Sequence, residues 1–103
     1  MTVFVKSIEE AGRLVSSPDS RQFHSGFVVL GAGAEVGEHE TGNGEEMVVF
    51  LEGAAEVSYG GESRSASAPA VALVPAHTRH NIKNRSKDPV RYVYIYNMAK
   101  EES

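Results

Sequence analysis

From residue 23 onward the chain alternates short apolar runs with clusters of turn-forming residues. The runs are FHSGFVVL (23–30), EMVVFL (46–51), AAEVSY (54–59), VALV (71–74) and VRYVYIY (90–96). Between them stand GAGAEVG, TGNG, EG, GGES, PAHTRHN and RSKDP, rich in the residues that turns select. Strands at this spacing, with no helix between them, predict an antiparallel sandwich or barrel. EMVVFL and AAEVSY, joined by Glu52-Gly53, are expected to form a hairpin. Only SIEEAGRLVS (7–16) carries helical periodicity, with Ile8, Ala11 and Leu14 or Val15 on one face. Ser7 and Glu10 make a capping box and Pro18 supplies a stop, so one short N-terminal helix is expected.

Two of the strands are apolar on both faces. Met47, Val49 and Leu51 alternate with Val48 and Phe50, and Val93 and Ile95 alternate with Val90, Tyr92, Tyr94 and Tyr96. A half-buried strand alternates apolar with polar residues, so the second face needs a cover. A second subunit is the expected cover, which gives a homodimer. The alternative is burial of both faces inside one sandwich, helped by a returning arm such as TVFV (2–5).

Composition narrows the function. The 103 residues suit one domain, 1–103, with a single core. Ten Lys plus Arg against fourteen Asp plus Glu give a net charge of −4, and no basic run exists. Nucleic acid is therefore a disfavoured partner. The absence of cysteine excludes disulfides, thiolate metal sites and thiol nucleophiles. The stretch MTVFVKSIEE lacks the basic flank and apolar core of a signal peptide. No apolar run approaches the roughly 18 residues that span a bilayer. A soluble, cytoplasmic protein without a membrane partner is the expectation.

The candidate chemistry rests on histidines and one carboxylate. His39 lies in a glycine-rich segment, Glu46 opens the strand MVVFL, and His77 and His80 follow the strand VALV. Neutral imidazole and carboxylate together suit Zn, Fe, Mn, Ni or Cu. Should His39, Glu46 and His80 converge, they would hold such an ion by one side and leave positions open; spacing alone does not bring them together. The competing roles are a loop histidine bonded to backbone for His39 and a ring that satisfies the turn after Pro75 for His80. Successive strand side chains alternate, so one of Glu45 and Glu46 points inward and then requires a cation or several donors. His24 is an ordinary strand residue unless its face, with Gly26, Val28 and Leu30, lines the lumen. Asn84 is read as a turn residue bonded to backbone. The Tyr92, Tyr94, Tyr96 stripe is read as packing, with hydroxyls able to orient a small ligand. Arg79 and Arg91, the cations nearest to the candidate site in sequence, are expected at the surface.

Over residues 23–96 the chain resembles a small single-domain cupin. The first cupin motif is matched by Gly33, His39, Glu46 and Gly53 at the family spacing, with Thr41 where the second histidine stands. The second motif is matched by Pro75, His80 and Asn84, with Pro69 and His77 where glycines usually stand. The resemblance implies an all-β, antiparallel jelly-roll barrel (a double-stranded β-helix), often dimeric, with a divalent transition metal (Zn, Fe, Mn or Ni) in its mouth. The ligands it transfers are His39, Glu46 and His80, with Glu40, Glu45 and His77 as nearby substitutes for the histidine missing at Thr41. The function implied is metal-dependent action on, or binding of, a small polar molecule. The alternative is a non-catalytic module that binds a sugar or small acid over a degenerate metal site.

Overall fold

The structure, a computed structural model, describes residues 3–98. Nine strands follow one another: β1 (Gly12–Val15), β2 (Phe23–Leu30), β3 (His39–Glu40), β4 (Glu45–Glu52), β5 (Ala54–Tyr59), β6 (Glu62–Ser67), β7 (Ala70–Val74), β8 (Arg79–Lys83) and β9 (Val90–Asn97). They form a five-stranded sheet in the order β1-β2-β9-β4-β7 and a four-stranded sheet in the order β3-β8-β5-β6. Every strand pairing is antiparallel. The core between the sheets contains Leu30, Val48, Phe50, Ala55, Val57, Ile82, Val90 and Tyr92. Val48, Phe50 and Val90 are fully enclosed, each burial contributing roughly 1.5–3 kcal/mol.

The five apolar runs are strands, as their alternation predicts. Two expectations fail. No helix occurs among the described residues, and the segment expected to be helical contains β1 instead. Gly12 adopts a φ of 142°, outside helical geometry. Ile8 is exposed, so the intended apolar face has nothing to bury against. A ten-residue helix carrying a central glycine is marginal on its own, whereas the free edge of β2 offers backbone partners to Gly12, Arg13 and Val15.

The hairpin is the second correction. β4 pairs with β7 and β9, and β5 pairs with β6 and β8, so Glu52-Gly53 carries the chain from one sheet to the other. Gly53 sits at φ 88°, and a Cβ there would lie 2.5 Å from the Pro89 carbonyl oxygen. Only glycine allows this corner to pass so close to the start of β9. β6 and β8 were hidden in polar sequence. ESRSAS is largely exposed and held by its ladder to β5, and RHNIK buries His80, Asn81 and Ile82 together.

The doubly apolar strands do present an uncovered face. On the outside of the five-stranded sheet Met47 is 43%, Leu51 50%, Val71 63% and Leu73 59% exposed. The N-terminal arm is no cover: Val3, Phe4 and Val5 are themselves exposed, and Thr2 lies outside the described residues.

Candidate metal centre

The site is assembled from both sheets. β3 and β8 pair with His39 directly opposite His80, so the two imidazoles leave the same face side by side. Their ring centroids are 4.2 Å apart. Glu46 lies opposite Tyr96 and Val74 on the inner face of the other sheet, which turns Glu45 outward to solvent. The Glu46 carboxylate reaches to 3.7 Å from His80 Nε2. One ligand atom from each of His39, Glu46 and His80 lies within 4.8 Å of the others.

Hydrogen bonding fixes what these atoms can do. His39 Nδ1 is 2.9 Å from the Gly37 carbonyl oxygen and His80 Nδ1 is 3.0 Å from that of Thr78. A carbonyl only accepts, so each Nδ1 carries a hydrogen, and in the neutral rings each Nε2 keeps its lone pair. His80 is 1% exposed, and its Nε2 is buried without a hydrogen-bond partner. Two bare nitrogens and a carboxylate thus face one another, three acceptors with no donor between them. Leaving such a group unsatisfied costs about 1–3 kcal/mol. The donor set, the backbone bonds behind both rings and the orphaned nitrogen all fit a divalent cation. Side-chain adjustments would be enough for His39, Glu46 and His80 to hold such an ion between them.

Thr41 does not complete the set. It is buried, its Oγ1 donates to the Pro75 carbonyl at 2.6 Å, and it accepts from the Thr78 N–H at 3.0 Å. None of the suggested substitutes joins either. Glu45 faces solvent, and Glu40 and His77 approach each other to 3.7 Å on the exposed rim. His77 holds φ 55°, the left-handed conformation that explains why glycine suits this position. Asn84 is structural, as read: its Nδ2 donates to the carbonyls of Leu30, Gly31 and Asp88, and its Oδ1 accepts from Ser86.

A cavity of about 300 Å³ opens beside the cluster, lined by Arg13, His24, His39, Glu46, Tyr94 and Tyr96 among others. His24 therefore does face the lumen without belonging to the ligand cluster. Tyr96 is occupied, donating to the Thr41 carbonyl and accepting from Gly44 N–H. Tyr92 is packed against Phe50, and burial, then the Glu46 carboxylate, hold its phenol protonated well above the usual range. Arg79 and Arg91 are surface residues, paired with Glu38 and Glu52. The arginine at the cavity is Arg13, which sequence reasoning missed because its segment read as helix. On the far side of His80 a second, mainly apolar cavity of about 380 Å³ runs between β6 and β7, past Val57, Ala66, Ala72 and Val74.

A sequence model of the Cupin domain family matches residues 26–96. No curated protein matches the chain in sequence. Among solved structures, the cupin domain of Schizosaccharomyces pombe Cnp3 superposes with a TM-score of 0.79 at 25% identity. That alignment covers 86% of this chain and 64% of the Cnp3 domain chain, so the present chain spans under two thirds of its length. A Cupin 2 conserved barrel domain protein from Salinispora arenicola superposes with a TM-score of 0.80 at 21% identity, covering 95% of this chain and 91% of that one. A predicted oxalate decarboxylase from Thermotoga maritima gives a TM-score of 0.75 at 19% identity, covering 86% and 79%. The last two likenesses concern the fold alone.

Proposed function

The chain belongs to the cupin domain family, and on that premise we propose that it binds a divalent transition metal through His39, Glu46 and His80 and takes a small polar molecule beside it. The observation that carries this reading is the buried His80 Nε2, which has no donor and faces a carboxylate. When bound, the ion would polarise an oxygen of the ligand or of water. The chain's own part is to hold both rings in the Nε2-ligating orientation through the carbonyls of Gly37 and Thr78. With Thr41 engaged elsewhere, three protein ligands leave coordination positions for the small molecule. Untagged protein, freshly purified, should carry close to one metal ion per chain by elemental analysis, and His80→Ala should lose it. Metal-free protein whose melting temperature ignores added Zn, Mn, Fe or Ni overturns the reading.

A second reading, a non-catalytic binding module, is favoured by the commitment of Thr41 to Pro75 and Thr78, which ends the ligand set at three. Ligand-induced stabilisation without turnover across a substrate panel would select it. The outer face of the five-stranded sheet further supports a homodimer, because Met47, Leu51, Val71 and Leu73 form an apolar patch that a second copy would cover. Light scattering should report a dimer that Leu73→Lys converts to monomer.

A further inference from the structure

We infer that the cavity beside the cluster recognises an oxyanion: Arg13, with His24 and the Tyr94 hydroxyl, holds a carboxylate or phosphate group of the small molecule whose other end reaches the His39–Glu46–His80 cluster. The inference rests on the cluster being the ligand's other anchor, and it adds the chemical class of that ligand. Register places Arg13 there. Arg13 pairs with Gly26, and Gly26 pairs with Tyr94 in the next strand. Residues directly opposite in antiparallel strands share a face, so Arg13 and Tyr94 flank Gly26 on the same inner surface as Glu46.

Gly26 is what joins them. A Cβ at this position would meet the Tyr94 ring and hydroxyl at 2.6 Å, so the missing side chain lets the phenol lie across β2 toward Arg13's strand. His24 occupies the next inward position of β2, opposite Tyr96. A guanidinium, an imidazole and a phenol therefore edge one cavity.

Charge points the same way. Arg79, Arg85 and Arg91 each have a carboxylate partner, whereas Arg13, like Arg21 and Arg64, has no ion-pair partner among the described residues, and of these three Arg13 alone borders this cavity. A divalent ion held by the single carboxylate of Glu46 keeps one net positive charge, and Arg13 adds another. Together they attract an anion, and the planar fork of a guanidinium matches the paired oxygens of carboxylate or phosphate. The cavity, about 300 Å³ and open to solvent, has room for a small molecule.

Calorimetric titration tests this, with malonate and phosphoglycolate as anionic probes and malonamide as the uncharged counterpart. Each is titrated into zinc-loaded and metal-free protein as wild type, Arg13→Gln, Arg13→Lys and Arg79→Gln. Wild type should bind at least one anion about tenfold or more tighter than malonamide. Arg13→Gln should remove that preference, Arg13→Lys should retain part of it, and Arg79→Gln should leave it unchanged. The melting temperature and zinc affinity of Arg13→Gln should match wild type, which separates anion recognition from folding and from metal binding. The tighter of the two anions identifies the source of the oxyanion. Equal preference in wild type and Arg13→Gln, or no detectable anion binding at millimolar concentration, overturns the inference. Failure to bind zinc would instead defeat the metal reading, and the Arg13 dependence would then be decided by the metal-free titrations.

Discussion

Glu46→Gln distinguishes a cation-binding cluster from three side chains that merely pack together. In the metal-free wild type, His80 Nε2 and the Glu46 carboxylate stand 3.7 Å apart, both acceptors, and nothing donates to the buried nitrogen. A carboxamide of the same shape brings an N–H within reach of that lone pair. Satisfying a buried acceptor is worth about 1–3 kcal/mol. In a domain of this size each kcal/mol moves the melting temperature by about 4–8 °C. In chelator at pH 8, where protons compete least for the site, the variant should melt about 4 °C or more above wild type. Metal reverses the order. At a free ion concentration of 100 times Kd the wild type gains about 2.7 kcal/mol. The variant, deprived of its charged ligand, should bind at least about tenfold more weakly and gain correspondingly less. Differential scanning calorimetry of untagged protein with and without zinc supplies the four melting temperatures. A variant that melts below wild type in chelator, yet shifts equally with zinc, would refute the reasoning.

Three further outcomes follow from the same geometry. Thr41→His should not complete the site: it forfeits the bonds to Pro75 and Thr78 and overfills a buried position, costing about 2–4 kcal/mol in urea unfolding without raising zinc affinity. Asn84→Ala removes a donor from the carbonyls of Leu30, Gly31 and Asp88, of which Gly31 keeps the Ala34 N–H and Asp88 the Ser86 hydroxyl, and should cost about 2 kcal/mol, measured the same way; a loss below about 1 kcal/mol would contradict the assigned role. The Tyr92 phenol has a raised pKa in the folded state, so the unfolded chain loses this proton first. Its contribution is complete below about pH 10 and declines as pH rises beyond it. Urea midpoints between pH 8 and 11.5 should therefore fall more steeply for wild type than for Tyr92→Phe, and parallel slopes would disprove the assignment.

What the sequence disclosed and what it concealed divide along physical lines. Runs such as FHSGFVVL and AAEVSY record burial in their own residues, and they are strands to within a residue of where alternation placed them. β6 leaves no such record, because ESRSAS is held by backbone pairing to β5 and not by an apolar face. The partnership of β4 with β7 and β9 was equally invisible, since Glu52-Gly53 looks like a turn whether the chain returns to the same sheet or crosses to the other. Motif spacing named the three side chains that converge. Alternation along the strand could not say which of Glu46 and Glu45 points inward, which strand register decides, or show that His24 reaches the lumen. Arg13 was hidden more deeply. Ile8, Ala11 and Leu14 mimic a helical stripe, and only the open edge of β2 makes GRLV a strand.

Thr41 explains how a shortened ligand set can remain stiff. The carbonyl of Thr78 accepts from His80 Nδ1 and also from the Thr41 backbone N–H. The Thr78 N–H in turn donates to the Thr41 hydroxyl, and the Thr41 carbonyl accepts from Tyr96. The bond that aims His80 is thereby tied, through a single residue, to the loop after β3 and to the last strand. A histidine at position 41 could offer a ring nitrogen to an ion but could not reproduce the short bond from the Thr41 hydroxyl to Pro75 in a buried setting. On the proposed metal reading, this position orients His80 instead of contacting the ion. Outer-shell partners of this kind commonly change metal affinity by about 10–100-fold. Loss of the motif histidine consequently does not entail loss of the site, because what His80 needs from position 41 is a hydroxyl and a carbonyl held in place, and threonine provides both.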